Sequence, residues 1–165
     1  MKKTIFWVLM LISGISFGQD YNSGDTELDA NLRLVNTEGK KDLAAFKLDL
    51  TKRFNVTMPN VEACFSVGMT PGDVFIALQV SNIVRKPIED VITVYKKSKD
   101  KGWGVMAKEL GIKPGSAEFH ALKGKTKDKA NGKSNGAKGN GNGKSGSAGK
   151  KGNSGKSNGK GNSKK

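Results

Sequence analysis

The last 43 residues of the chain cannot form a hydrophobic core. Residues 123–165 contain 13 Lys, 12 Gly, 7 Asn and 6 Ser, and no Leu, Ile, Val or aromatic residue. A segment of this kind has no apolar surface whose burial offsets the entropy that the chain loses on folding. We therefore predict that residues 123–165 form a disordered, low-complexity tail, and that any folded domain lies before residue 123.

The charge of the chain is divided at the same point. The formal net charge is +14 at pH 7, yet residues 20–122 contain 14 basic and 14 acidic residues. The excess comes from the tail, whose 13 Lys face a single acid, Asp128. A neutral body excludes a uniformly basic nucleic-acid-binding domain. The single cysteine excludes an intrachain disulfide framework and a multi-cysteine zinc site.

The amino terminus has the pattern of a secretory signal. Lys2 and Lys3 precede an uncharged, mostly apolar run over residues 4–15, and small residues stand at Ser16 and Gly18. The pattern predicts a signal peptide in residues 1–18 and an exported protein, periplasmic or secreted. The apolar run is shorter than the ~20 residues that span a bilayer, so we expect no transmembrane segment in the mature protein. Residues 19–25 are predicted to be a short flexible leader.

Helix start signals punctuate residues 26–122. A hydroxyl or a proline that can begin a helix occurs five times, at Thr26, Pro59, Thr70, Pro87 and Ser116. Thr70 is the clearest signal, because Pro71 follows it and Asp73 stands near the positive end of the helix dipole.

Apolar residues then recur at helical spacing, and alternation typical of strands never persists. The stripe of Ile88, Val91, Ile92 and Tyr95 is one example. Whether Gly39 separates two helices or lies inside one long helix stays open. We predict an all-α domain over residues 26–122, a small bundle of five or six short helices.

The body carries little catalytic chemistry. His120 is the only histidine, and it lies close to Glu118 in the sequence; Trp103 stands between two glycines. These three residues are a candidate ligand or partner site, for a small-ligand-binding protein or an enzyme. The competing interpretation places Trp103 in the core and His120 at a helix end. Cys64 lies on an apolar face, which favours a buried structural thiol. We predict no catalytic, cofactor-binding or metal site and no enzymatic activity.

Residues 106–116 are similar to the first helix and turn of a helix-turn-helix. A nucleic-acid binder is therefore a second alternative, in which the following helix would enter a major groove. Residues 117–122 contain no Arg, Asn or Gln to read base edges. The pattern also fits a tight corner between two helices that serves only for packing.

The lysines of the tail are the candidate polyanion-binding residues. The tail has neither Arg nor aromatic residues, so we expect non-specific and salt-sensitive binding without base stacking. Suitable polyanions are lipopolysaccharide, exopolysaccharide, extracellular DNA and acidic lipid headgroups. The alternative is a solubilising tail without a dedicated partner. The candidates are Lys123, Lys125, Lys127, Lys129, Lys133, Lys138, Lys144, Lys150, Lys151, Lys156, Lys160, Lys164 and Lys165.

The block over residues 101–123, KGWGVMAKELGIKPGSAEFHALK, is distinctive, and residues 69–75 and 85–91 accompany it. Residues 24–123 resemble a group of small exported proteins of Gram-negative bacteria. The resemblance implies export and a helical domain; the group has no assigned activity, so no catalytic residue is implied. We thus expect an exported, non-enzymatic helical module that docks an unidentified protein partner and carries a cationic arm.

Overall fold

The computed structural model describes residues 20–133, which form seven α-helices, one 3-10 turn and, within that range, no β-strand. The predicted all-α class is therefore confirmed. The predicted signal peptide, residue 19 and the tail from residue 134 onward lie outside the described residues. The elements are α1 Thr26–Lys41, α2 Leu43–Phe54, α3 Met58–Ser66, α4 Pro71–Val84, α5 Ile88–Ser98, the 3-10 turn Lys99–Lys101, α6 Trp103–Glu109 and α7 Ala117–Ala130.

Helix α4 lies at the centre of the bundle. Every residue from Pro71 to Val80 is buried, and α1, α2, α3, α5 and α7 all pack against this helix. The sequence of α4 is apolar on all sides, which is typical of a helix enclosed by others rather than lying on a surface. The core therefore surrounds α4.

The predicted start of α4 is confirmed in detail. The Thr70 hydroxyl accepts a hydrogen bond from the Asp73 N–H, and the Asp73 carboxylate accepts one from the Thr70 N–H at 3.0 Å. This reciprocal capping box satisfies two backbone donors that the first turn of a helix leaves free. Ser116 caps α7 in the predicted way, since its hydroxyl accepts from the Phe119 N–H at 3.2 Å.

The first two helices differ from the sequence prediction in their ends. The N-cap of α1 is Asp25 rather than Thr26, because the Asp25 carboxylate accepts from the Leu28 N–H at 2.9 Å. Gly39 lies inside α1, and the break comes at Asp42. The carboxylate of Asp42 caps α2 by accepting from the Ala45 N–H at 2.9 Å. A short acidic side chain at each junction explains both boundaries.

The predicted flexible leader is wrong for the residues described, Asp20–Gly24, which we call the N-terminal strap. Tyr21 in this strap is only 1% exposed and belongs to the core. The Trp103 N–H donates to the Tyr21 carbonyl at 2.8 Å, and the Gly104 N–H donates to the Asn22 carbonyl at 3.0 Å. The strap thus satisfies the free N–H groups at the start of α6 and is fixed by them.

The predicted boundary between body and tail at residue 122/123 is also wrong. Helix α7 continues through residues 123–130, which the sequence assigned to the disordered tail. Leu122, Thr126 and Lys129 are buried at helical spacing along one face. The segment lacks large apolar residues and contributes only Ala130, but the body supplies a surface for this face to cover, and that burial stabilises two further turns.

Candidate functional site

Trp103 is a buried structural residue that joins α6 to α4. Its side chain is 2% exposed, and the indole N–H donates to Asp73 Oδ1 at 2.8 Å. The second oxygen of Asp73 accepts from the N–H and the hydroxyl of Thr70, at 3.0 and 2.6 Å. Both carboxylate oxygens of Asp73 therefore accept hydrogen bonds that hold α4, its cap and α6 together.

The two glycines beside Trp103 make room for the N-terminal strap. A Cβ atom at Gly102 would lie 2.5 Å from the Asn22 Cβ, and one at Gly104 would lie 2.7 Å from the Ser23 carbonyl oxygen. Gly102 also has a φ of 82°, which favours glycine. The Gly-Trp-Gly motif is thus explained by close packing against the strap.

Two tyrosines complete the cluster around Trp103. The Tyr95 ring lies 6.1 Å from the Trp103 ring between centroids, and Tyr21 lies against Gly72 on α4. Burial raises the pKa of Tyr95 to about 12 and raises the pKa of Tyr21 well above its ordinary value. Both phenols therefore stay protonated at neutral pH and serve as packing groups.

Glu118 and His120 lie apart from this buried cluster. Both are exposed on the first turn of α7. The pKa of Glu118 lies below its usual value because its carboxylate accepts hydrogen bonds from its own backbone N–H and from Ser116. The His120 ring stands edge-on to Phe119, 6.4 Å away between centroids. The structure does not gather Trp103, Glu118 and His120 around one cavity.

A cavity of about 390 Å³ nevertheless opens beside Trp103. The strap, α6, the loop after α6 and the start of α7 form its walls. Phe119, which stands between Glu118 and His120, lines it, whereas those two residues do not. Sequence reasoning selected the two polar residues and missed the apolar one between them. Helical periodicity was the available signal, because Phe119 and Leu122 share a face.

The residues that resemble the start of a helix-turn-helix are followed by α7, a helix that packs against the rest of the bundle. Seven residues, Leu110 to Ser116, separate α6 from α7, and Ile112 in this loop is 1% exposed. Helix α7 packs on α1 and α4 through Leu122 and the buried residues that follow it. In residues 117–122 the exposed side chains are Ala117, Glu118, His120 and Ala121. This set provides poor complementarity to a negatively charged groove.

The first lysines of α7 are paired with carboxylates at the start of α1. Lys123 Nζ lies 2.7 Å from Asp25 Oδ2 and 3.5 Å from Glu27 Oε2, and Lys127 Nζ lies 2.9 Å from Glu27 Oε1. Burial raises the pKa of Asp25, but hydrogen bonds from Lys123 and the Leu28 N–H lower it by more. Hydrogen bonds from Lys127 and Lys123 lower the pKa of Glu27. Asp25 in turn raises the pKa of Lys123.

Lys129 is the most enclosed lysine of α7. Its side chain is 7% exposed and lies 3.5 Å from Glu38 and 3.2 Å from Asp49. Its ammonium also lies 5.3 Å from the centre of the Phe46 ring, within range of a cation–π contact. Lys129 therefore fixes the end of α7 against α1 and α2.

Only one of the five tail lysines within residues 20–133 lacks an ion pair there. Lys123, Lys127 and Lys129 are paired as described above, and Lys133 Nζ lies 3.5 Å from Asp128. The lysine without an ion pair is Lys125. Four of the predicted polyanion-binding lysines thus face carboxylates of the protein itself. The other eight, from Lys138 onward, lie outside the described residues.

Other reactive groups are few in the described part of the chain. Burial raises the pKa of the Cys64 thiol to about 12, and its side chain is fully buried, so it is not a nucleophile. Residues 20–133 contain no group of three or more His, Cys, Asp or Glu side chains arranged to hold a metal ion. Over the same range, no helix has both the length and the apolar character needed to cross a bilayer.

Comparison with protein-family models, curated proteins and solved structures finds no match to this chain. The resemblance of residues 24–123 to small exported proteins therefore stays a prediction. Function is inferred below from the charges and surfaces of the chain itself.

Proposed function

We propose that the chain is an exported, non-enzymatic protein whose helical body docks a partner and whose carboxyl-terminal segment binds polyanions. The observation that carries this proposal is the change in charge pairing near the end of α7. Lys123, Lys127 and Lys129 are paired with carboxylates of α1 and α2. Residues 134–165 contain eight Lys and no acidic residue.

This pairing changes which lysines are available. A polyanion that binds Lys123 or Lys129 must first displace a carboxylate, and Lys129 is also buried. The lysines beyond residue 133 have no acidic residue in their own segment to displace. Residues 134–165 should therefore provide most of the long-range attraction to lipopolysaccharide, exopolysaccharide or extracellular DNA.

Two features support export and a non-enzymatic role. The basic and apolar pattern of residues 1–18 is typical of a signal peptide. The candidate polar groups of the body are either dispersed in solvent, as Glu118 and His120 are, or occupied, as Asp73 is. Catalysis generally needs several such groups to converge on one open site.

Binding to duplex DNA as a function of salt tests the proposal on chains that begin at Gln19. The chain ending at Lys165 should show a log-affinity against log-salt slope below about 7 in magnitude, because each phosphate contact contributes ~0.9 and not all eight lysines engage together. Ending the chain after Lys133 should abolish most of the affinity and leave the melting temperature unchanged. Affinity that persists after this truncation would refute the assignment.

A matched pair of variants separates the location of the charge from its amount. Each replaces four lysines by Gln, so both lower the net charge equally. Replacement in the carboxyl-terminal segment should weaken DNA binding strongly, and replacement on the body should weaken it little. Equal weakening would show that only total charge matters. The first variant changes Lys150, Lys151, Lys156 and Lys160; the second changes the exposed residues Lys40, Lys52, Lys96 and Lys97.

A further inference from the structure

The cavity beside Trp103 reaches the hydrophobic core. Leu28, Ile76 and Leu122 all line it, and each is at most 1% exposed. Phe119, half-buried, and Val105, 36% exposed, also line the cavity. Its volume of about 390 Å³ lies within the range of small-molecule sites, roughly 300–1,000 Å³. The cavity is therefore backed by the core, and Phe119 and Val105 provide the apolar lining that is open to solvent.

The charges around this cavity have one sign. Lys101 and Lys108 line it, and no Asp or Glu does. Within residues 20–133, neither lysine forms an ion pair, which distinguishes them from the paired lysines of α7. The carboxamide of Asn22, another lining residue, has no hydrogen-bond partner in the same range. Two exposed lysines without a protein carboxylate partner thus stand beside the apolar lining.

We propose that this cavity binds a single-chain anionic amphiphile, a free medium-chain carboxylate. The alkyl chain would lie against the accessible apolar side chains Phe119 and Val105, and the carboxylate would accept hydrogen bonds from Lys101 and Lys108. Charge complementarity selects the anion, because a carboxylate on two lysines forms charge-assisted hydrogen bonds that an alcohol does not form. The apolar lining selects the alkyl chain, because burying it removes apolar surface from water.

Trp103 lines this site and reports on it. Its N–H is already bonded to Asp73, so the indole has no donor left for a ligand. In a chain that begins at Gln19, Trp103 is the single tryptophan. A ligand that enters the cavity changes the surroundings of this ring, so the emission of Trp103 follows binding directly.

The first test titrates the chain of residues 19–165 with decanoate, decanol and acetate, all below their aggregation concentrations. Decanoate should shift the Trp103 emission and saturate at one equivalent. Decanol should bind about tenfold more weakly, since it lacks the charge, and acetate should not bind, since it lacks the alkyl chain. Binding of decanoate only as micelles, or without any change in Trp103 emission, would overturn the proposal.

The second test uses two double variants with the same change in net charge. Lys101→Glu with Lys108→Glu should weaken decanoate binding at least about tenfold while changing decanol binding little. Lys96→Glu with Lys97→Glu, exposed on α5 away from the cavity, is the control and should leave both affinities unchanged. Equal loss of decanoate binding in both variants would show a general charge effect and refute the site. Melting curves check that each variant is folded.

Discussion

Helices α4 and α7 are both 14 residues long, yet they are held in the bundle by different forces. Helix α4 buries ten consecutive residues, from Pro71 to Val80. Helix α7 buries three, Leu122, Thr126 and Lys129, and two of them are polar. Burial of apolar surface stabilises α4, whereas α7 combines the buried Leu122 and the partly buried Phe119 and Ala130 with ion pairs to α1 and α2.

This difference predicts different responses to solvent. Apolar burial changes little with moderate salt or with pH, but ion pairs near the surface are screened within about 10 Å at 0.1 M salt. Helix α7 should therefore loosen under conditions that leave α4 intact. The same helix leads to the lysine-rich segment, so its attachment decides how firmly that segment is held to the body.

The largest expected effect is the loss of a core side chain on α4. Phe75 is fully buried, and its ring meets the Phe54 ring edge-on at 5.6 Å. Phe75→Ala should lower the free energy of unfolding by about 3–5 kcal/mol, equally at low and high salt, because it leaves a cavity in the apolar core. Urea unfolding at two salt concentrations measures this. Leu34→Ala, at a residue 55% exposed, is the control and should change little. A strong salt dependence of the Phe75→Ala effect would contradict the comparison.

Next in size is the loss of the one side-chain hydrogen bond between α4 and α6. Trp103→Phe leaves Asp73 Oδ1 without its donor in a buried site, which should cost about 1–3 kcal/mol of unfolding free energy. Tyr95→Phe is the matched control, because the Tyr95 hydroxyl forms no hydrogen bond within residues 20–133. Thermal unfolding of the two variants compares them. Equal stability of the two would show that the Asp73 contact is unimportant.

A smaller effect is expected on α7. Lys129→Ala removes the cation between Glu38 and Asp49 and should cost about 1–2 kcal/mol, because both carboxylates are partly exposed and can regain water. Lys129→Met should recover much of this loss, since the buried stem is replaced by an apolar chain of similar length. Urea unfolding should show that the Met variant is also less sensitive to salt than the natural chain. If Lys129→Met is no more stable than Lys129→Ala, the stability lost in both variants comes from the charge of Lys129 and not from its buried stem.

The sequence predicted α4 well and the end of α7 poorly, for a physical reason. Thr70, Pro71 and Asp73 act locally, so their pattern alone indicates where α4 begins. Thr126 and Lys129 are not apolar; the Thr126 hydroxyl donates to the Leu122 carbonyl one turn earlier in α7, and the Lys129 ammonium is received by carboxylates of α1 and α2. Composition cannot reveal such partners, although the spacing of Leu122, Thr126 and Lys129 is helical.

The burial of the strap and the presence of the cavity could not be predicted from the sequence for a similar reason. Tyr21 lies in a short polar stretch without periodicity; its side chain packs against Gly72 on α4, and its backbone carbonyl packs against Gly102. The Gly-Trp-Gly motif was visible in the sequence, and core packing was one of its two interpretations. The cavity forms only where separate parts of the chain meet, so no local pattern in the sequence indicates that Lys101 and Lys108 lie beside Phe119.

The smallest expected effect concerns the pairing of α1 with α7. Asp25→Asn removes the charge that faces Lys123 but keeps a side chain that caps α1 well. The lowered pKa of Asp25 means that its pairing stabilises the fold above the ordinary value of 3.8 and is lost as the pH falls through the lower folded pKa. The raised pKa of Lys123 means that the contribution is present below 10.5 and is lost as the pH rises through the higher folded pKa.

The melting temperatures of the natural chain and Asp25→Asn should therefore differ most between these two limits and converge at both ends. The difference should be small, because the pair is partly exposed and screened by salt. Asp42→Asn, at the exposed cap of α2 with no ion pair within residues 20–133, is the matched control for exchanging a capping carboxylate for an amide. If the Asp25→Asn difference persists unchanged well below pH 3.8, α7 is held at this end by packing, and its contrast with α4 rests on Lys129 alone.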